Sequence, residues 1–183
     1  ENAANLKKCV KTFFAVVKNE LSAVEPDMEI GVKKTAMPEY MMDAKTQLNL
    51  IRSIIACPNG VIRMSNSMPG LVETSSNLAI VHSTDKTIEV KCLLRSSVDS
   101  AKDALAADIK AVFDLAGAKV EFAGAYPGWK PNTDSEILNL ALDIYKKNFN
   151  KEAKITAVHA GLECGILGAK YTNWDMISFG PTI

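Results

Sequence analysis

From Thr87 to Arg95 the side chains alternate in a way that only a strand with one dry face and one wet face satisfies. Ile88, Val90, Cys92 and Leu94 fall on one side, and Thr87, Glu89, Lys91 and Leu93 on the other. Arg95 continues the wetter face at the strand's exit. Asn77 to His82 stands before it across Ser83-Thr84-Asp85-Lys86, so the two segments are expected to form a hairpin. A helix from Ser100 to Ala116 follows, turning Ala101, Leu105, Ile109 and Val112 or Phe113 inward and ending at Gly117. Lys119 to Ala123 reads as a strand. This order suggests a split β-α-β sheet with its helices on one side.

The remaining segments are punctuated by turn chemistry. Leu6, Cys9, Val10, Phe13, Val17 and Leu21 share a helical face over residues 4 to 23, which Glu25-Pro26-Asp27 terminates. Met28 to Val32 is a short strand candidate. Asp43 can cap a helix from Ala44 to Ala56 with Leu48, Ile51 and Ile55 inward. Pro58-Asn59-Gly60 is a turn before a brief strand, Val61 to Met64, and Met68-Pro69-Gly70 is another turn. Gly124-Ala125-Tyr126-Pro127-Gly128-Trp129-Lys130-Pro131 marks a domain crossing. Asp134 or Ser135 then caps a helix to Asn148, with Leu138, Ala141 or Leu142, Tyr145 and Phe149 inward. A strand from Ile155 to His159, a glycine-flanked loop and a strand from Met176 to Phe179 complete an α/β pattern.

Composition narrows the function classes. Hydrophobic residues at 48% and charged residues at 23% of 183 suit a chain with a real core. The 21 basic and 21 acidic side chains cancel, which argues against nucleic acid as a partner. No apolar run approaches the ~18 residues of a membrane span, and no secretory h-region is evident. Cys9, Cys57, Cys92 and Cys164 show no C-x-x-C spacing, so reduced cytosolic thiols are expected rather than a disulfide frame. The opening at Glu1 without methionine, and the stop at Ile183 after a strand-like segment, suggest a piece of a longer protein.

The chemical candidates cluster at segment ends. His82 and His159 lie far apart, with no H-x-D, H-E-x-x-H or Glu-Glu pair, so a metal site built by this chain alone is not expected. In His159-Ala160-Gly161-Leu162-Glu163-Cys164-Gly165, Cys164 near His159 admits nucleophilic catalysis, but a thiol in that apolar setting more often packs as a small hydrophobe. Glu163 either binds a cationic group, where the glycines permit a close ligand approach, or is a solvated loop carboxylate. His159 is a ligand contact or a satisfied structural histidine. Arg95 suits bidentate capture of a carboxylate, and a surface ion pair is its commoner role. Asn66, Glu73, Thr74 and Asn77 read as turn chemistry, and Tyr126 and Trp129 could wall a cleft, though aromatics at a domain crossing more often pack the interface.

A set of motifs in fixed order goes further. These are Asn59-Gly60-Val61-Ile62-Arg63, Val72-Glu73-Thr74-Ser75-Ser76-Asn77, Leu94-Arg95-Ser96-Ser97-Val98-Asp99-Ser100, Leu115-Ala116-Gly117-Ala118, Gly124-Ala125-Tyr126-Pro127-Gly128-Trp129, and the HAGLECG through GPTI tail. Together they resemble the C-terminal part of the bacterial aminoacyl-histidine dipeptidases, also called Xaa-His dipeptidases or peptidase D. These are metallopeptidases of the aminoacylase and carboxypeptidase-like zinc class.

The resemblance implies a catalytic α/β domain with two zinc ions and an inserted lid, a sheet backed by helices that is often used for dimerisation. On that map residues 1–122 are the second half of the lid, and 124–183 are the chain returning to the catalytic domain. It implies a cytoplasmic homodimer hydrolysing dipeptides with C-terminal histidine, with no nucleic-acid or membrane partner. Arg95 matches a lid arginine that anchors the substrate carboxylate, and His159 and Glu163 match a cleft-lining loop. The family's H-x-D pair, bridging aspartate, Glu-Glu pair and final metal histidine have no counterpart here. No catalytic residue and no metal ligand is therefore carried over, and the piece by itself is expected to hold no zinc and to be inactive. The rival reading is a non-catalytic module for dimerisation or small-ligand binding.

Overall fold

The computed structural model describes residues 2–159 and 163–180. The chain divides into two units, one up to Met41 and one from Met42 onward.

In the first unit α1 runs Asn2–Glu20, as its periodicity predicts. Its apolar stripe is not buried: Leu6 is 55% and Phe13 63% exposed. No second element of this unit, among the described residues, covers that face. The strand expected from Met28 to Val32 is absent, and the segment is irregular. With no neighbouring strand, its backbone has no ladder to join.

In the second unit α2 spans Ala44–Ala56. Asp43 caps it, its carboxylate accepting from the N–H groups of Lys45 at 2.9 Å and Thr46 at 3.0 Å. The expected inward face was misplaced, because Leu48, Ile51 and Ile55 are 46%, 49% and 79% exposed. The face turned in carries Asn49, Ser53 and the following Cys57. Asn49 Nδ2 donates to the Ala116 carbonyl at 3.1 Å, and Ser53 Oγ to the Asn49 carbonyl at 2.8 Å. Asn49 thus ties this helix to the end of the next one, while Ser53 satisfies its hydroxyl within its own helix and can be buried, neither of which the periodicity of apolar residues registers.

Three strands form one antiparallel sheet in the order β1-β2-β3, with β1 at Gly60–Met64, β2 at Val72–Ser83 and β3 at Ile88–Ser96. The predicted hairpin is present and longer than expected. β2 starts at Val72, so Glu73, Thr74 and Asn77, read as turn chemistry, lie in the strand instead, while Asn66 sits in the bend between β1 and β2 as expected. Glu73, Thr74 and Ser76 are buried there. Two of them find partners nearby, since Arg63 forms an ion pair with Glu73 and Thr74 Oγ1 lies 2.9 Å from Ser96 Oγ, while Ser76 Oγ is buried with no hydrogen-bond partner among the described residues.

The next helix, α3 at Asp99–Leu115, packs Leu105, Ile109 and Phe113 against Leu78, Val90, Cys92 and Leu94 of the sheet. Gly117, at φ +79, closes it where a left-handed residue is required. Cys57 and Cys92 meet in this core with sulfurs 3.9 Å apart. Burial pushes the Cys57 thiol up to about 11, and the neighbouring Cys92 adds to it.

Lys119 to Ala123 is extended chain rather than a strand, so the split β-α-β return is not formed among the described residues. Val120 still packs on the core. Two further helices follow, α4 at Glu136–Phe149 and α5 at Glu163–Lys170. The strands expected at Ile155–His159 and Met176–Phe179 are also extended chain without a ladder partner among the described residues. Glu163, Cys164 and Gly165, expected in a loop, open α5. Ala160 to Leu162 and Pro181 to Ile183 lie outside the described residues.

The core makes a first prediction. Leu105 is 2% exposed and Leu115, on the same helix, 89%. Leu105→Ala should cost about 2–5 kcal/mol of unfolding free energy, while Leu115→Ala stays within about 0.5 kcal/mol. Urea titrations of the two variants measure the difference.

Candidate functional site

The alternation of β3 sends Val90, Cys92 and Leu94 toward the helices and Arg95 to the opposite face. Antiparallel pairing places Ser75 of β2 directly across from Arg95, on that same face. His159 comes to them from the extended segment after α4. Ser75 Oγ lies 2.6 Å from His159 Nε2, and Arg95 Nη1 donates to the His159 carbonyl at 3.2 Å. Three residues distant in sequence thus share one hydrogen-bonded cluster.

Burial lowers the pKa of His159 below the usual histidine value. The Arg95 guanidinium adds to the depression, and hydrogen bonding to the Val72 backbone opposes it. The ring is therefore held neutral at pH 7. Arg95 is exposed, and its contact with His159 engages one arm of a planar fork built for carboxylates.

Arg95 and His159 line a cavity of about 850 Å³ with Leu93, Tyr126, Trp129 and Ser178. Tyr126 and Trp129 therefore wall a cleft, a role the sequence subordinated to interface packing. Glu163 is exposed in the first turn of α5 and is not among the cavity's lining residues. Cys164 is half-buried in the same helix, and His159 is engaged by Ser75.

The cavity wall depends on a close crossing of chains at the N-terminus of α3. Asp99 Oδ1 accepts from Lys102 Nζ at 2.7 Å and from the Gly128 N–H at 2.9 Å. Lys102 Nζ also donates to the Tyr126 carbonyl at 2.7 Å. A Cβ on Gly128 would lie 2.5 Å from the Ser97 carbonyl oxygen. One on Gly165 would lie 2.7 Å from the Pro127 carbonyl oxygen. The second glycine thus admits the chain's own backbone, where the sequence suggested a ligand.

Asp175 fixes the far end. Its Oδ2 accepts from Ser135 Oγ at 2.8 Å and the Ile137 N–H at 3.1 Å, while Ser135 Oγ caps α4 through Leu138 N–H. Sequence reasoning passed over Asp99, Asp175 and Ser75. The serine's signal was its place opposite Arg95, visible only once the hairpin register is set.

The described residues do not by themselves assemble a zinc site. Among the described residues no three His, Cys, Asp or Glu side chains converge. His82 pairs across the ladder with Glu89 at the hairpin end, and His159 is taken up by Ser75.

No protein-family model matches the sequence. The chain is 42% identical over 178 residues to the cytosol non-specific dipeptidase of Escherichia coli (strain K12), covering 97% of this chain and 37% of that protein. It superposes on the crystal structure of aminoacylhistidine dipeptidase from Vibrio alginolyticus with a TM-score of 0.93 and 39% identity, over 99% of this chain and 37% of that one. The resemblance carried by the motifs is thus present in both sequence and fold. The chain spans little more than a third of the length of either relative.

Two predictions follow from the crossing. Gly128→Ala should destabilise the chain by about 1–3 kcal/mol, because backbone must move to admit the methyl group. Differential scanning calorimetry against wild type measures it. The second concerns acid. Hydrogen bonds from Lys102 and Gly128 lower the Asp99 pKa. A depressed carboxylate contributes stability above its unfolded pKa and loses it as pH falls through the folded one. Asp99→Asn should therefore be less stable than wild type near pH 7, with the gap closing below about pH 4 in pH-dependent melts.

Proposed function

We propose that this chain forms part of the substrate cleft of a metal-dependent dipeptidase, with Arg95 holding the C-terminal carboxylate of the substrate. The observation that carries the reading is the Arg95 fork, exposed at the exit of β3 and lining a cavity large enough for a dipeptide. The full positive charge beside a neutral imidazole gives the cavity one strong anion-recognition point. A dipeptide with a free C-terminus supplies the matching anion.

The two relatives support the reaction class, since one is named a non-specific dipeptidase and the other an aminoacylhistidine dipeptidase. In this reading residues 1–122 belong to a lid and residues 124–183 to the catalytic domain. The zinc ions and the general base stand on side chains outside this chain. His159 belongs to the cleft wall, Xaa-His dipeptides are substrates, and the enzyme is a cytoplasmic homodimer joined through its lids. The contribution of this chain to catalysis is positioning: a carboxylate fixed by Arg95 sets the distance from the substrate's terminus to its scissile carbonyl. That register favours dipeptides over longer chains.

In the complete enzyme Arg95→Ala should lower kcat/KM for an Xaa-His dipeptide about ten- to a hundredfold, or about 1.5–3 kcal/mol, through loss of a charge-assisted contact. Steady-state kinetics of the purified variant test this, and unchanged constants would remove Arg95 from the site.

A further inference from the structure

We propose that Ser75 is a positioning residue for the carboxylate anchor, acting through His159 to fix the orientation of the Arg95 guanidinium. The inference rests on the reading of Arg95 as that anchor and assigns the device that aims it.

An arginine at a strand exit has several rotatable bonds, and an exposed one samples many positions unless a partner selects among them. The partner here is a backbone carbonyl, that of His159, 3.2 Å from Nη1. That carbonyl lies on a segment with no ladder of its own, so the sheet does not hold it in place. Its anchorage to the sheet runs through the His159 ring, which lies 2.6 Å from Ser75 Oγ and also hydrogen-bonds to the Val72 backbone of β2. Because Ser75 and Arg95 are cross-strand partners, the two arms of the bridge spring from adjacent points of one rigid ladder.

The loop closes on itself: strand to serine, serine to imidazole, imidazole through its own backbone to the guanidinium, and guanidinium back to strand. Cutting it at Ser75 leaves the ring on the Val72 backbone alone, which loosens the carbonyl and with it the preferred direction of the fork. Removal of the hydroxyl leaves the charge in place, so anion attraction survives while directional recognition weakens. That combination distinguishes Ser75 from a residue that merely supports the fold.

The readout is the discrimination between an Xaa-His dipeptide and the same dipeptide with a C-terminal amide, taken as a ratio of kcat/KM in the complete enzyme. Ser75→Ala should reduce that ratio by about three- to tenfold. Ser75→Thr, which keeps the hydroxyl and suits a strand, should restore it, and both should melt within a few degrees of wild type. Arg95→Ala measured alongside should abolish the discrimination. If it does so while Ser75→Ala leaves the ratio at wild type, the positioning role is overturned and the anchor stands. If Arg95→Ala itself retains the ratio, the anchor reading fails and takes the positioning role with it. A Ser75→Thr ratio as low as that of Ser75→Ala would also overturn the role of the hydroxyl.

Discussion

The burial of Leu105, Ile109 and Phe113 against one face of β2 and β3 decides where every other group can go. A strand offers two faces, and once Val90, Cys92 and Leu94 are committed to the helices, residue 95 must emerge on the other side. A register slip of one residue would bury a guanidinium beneath α3, at a cost no contact there could offset. The apolar packing of one face thus delivers a charge to the other without any local instruction to do so. The same pairing brings Ser75 opposite Arg95, so the cluster inherits its geometry from the core.

The opposite wall of the cavity is positioned by a second, more polar device. Asp99 and Lys102 in the first turn of α3 take hold of the backbone at Tyr126 and Gly128. Gly128 lets this segment lie on the Ser97 carbonyl, and Gly165 lets α5 lie on Pro127 in turn. Each contact is a modest surface interaction by itself. Together they stack three pieces of chain at separations that any side chain would disrupt. The helix that fills the core with its buried face therefore also fixes the cavity wall with its N-terminus.

Elements whose cause is local were legible in the sequence. The caps of α2 and α4, the Gly117 stop of α3 and the alternation of β3 were read to within a residue or two, because each follows from a side chain and its immediate neighbours. Arg95 and His159 were singled out for the same reason, their places at segment ends. Their meeting was not readable, since it depends on a hairpin register and a distant chain crossing. The four absent strands share one cause: a strand needs a partner, and hydrophobic alternation is silent on whether one is adjacent. The inward face of α2 was misread because it carries Asn49, which hydrogen-bonds to Ala116, and Ser53, which bonds back within the helix, and an apolar count treats both as solvent-facing.

The arrangement at His159 resolves a conflict that two adjacent cationic side chains would otherwise have. A protonated imidazole beside Arg95 would repel the very group its carbonyl must hold, and partial burial plus the guanidinium keep the ring neutral. Neutrality lets the side chain bond to a serine while the backbone of the same residue serves the arginine. The histidine thereby acts as a two-ended strut rather than as an acid or base. In the proposed reading a carboxylate entering the cavity meets the Arg95 charge at the strand exit, and neither Ser75 nor His159, which hold it in place, is an anion.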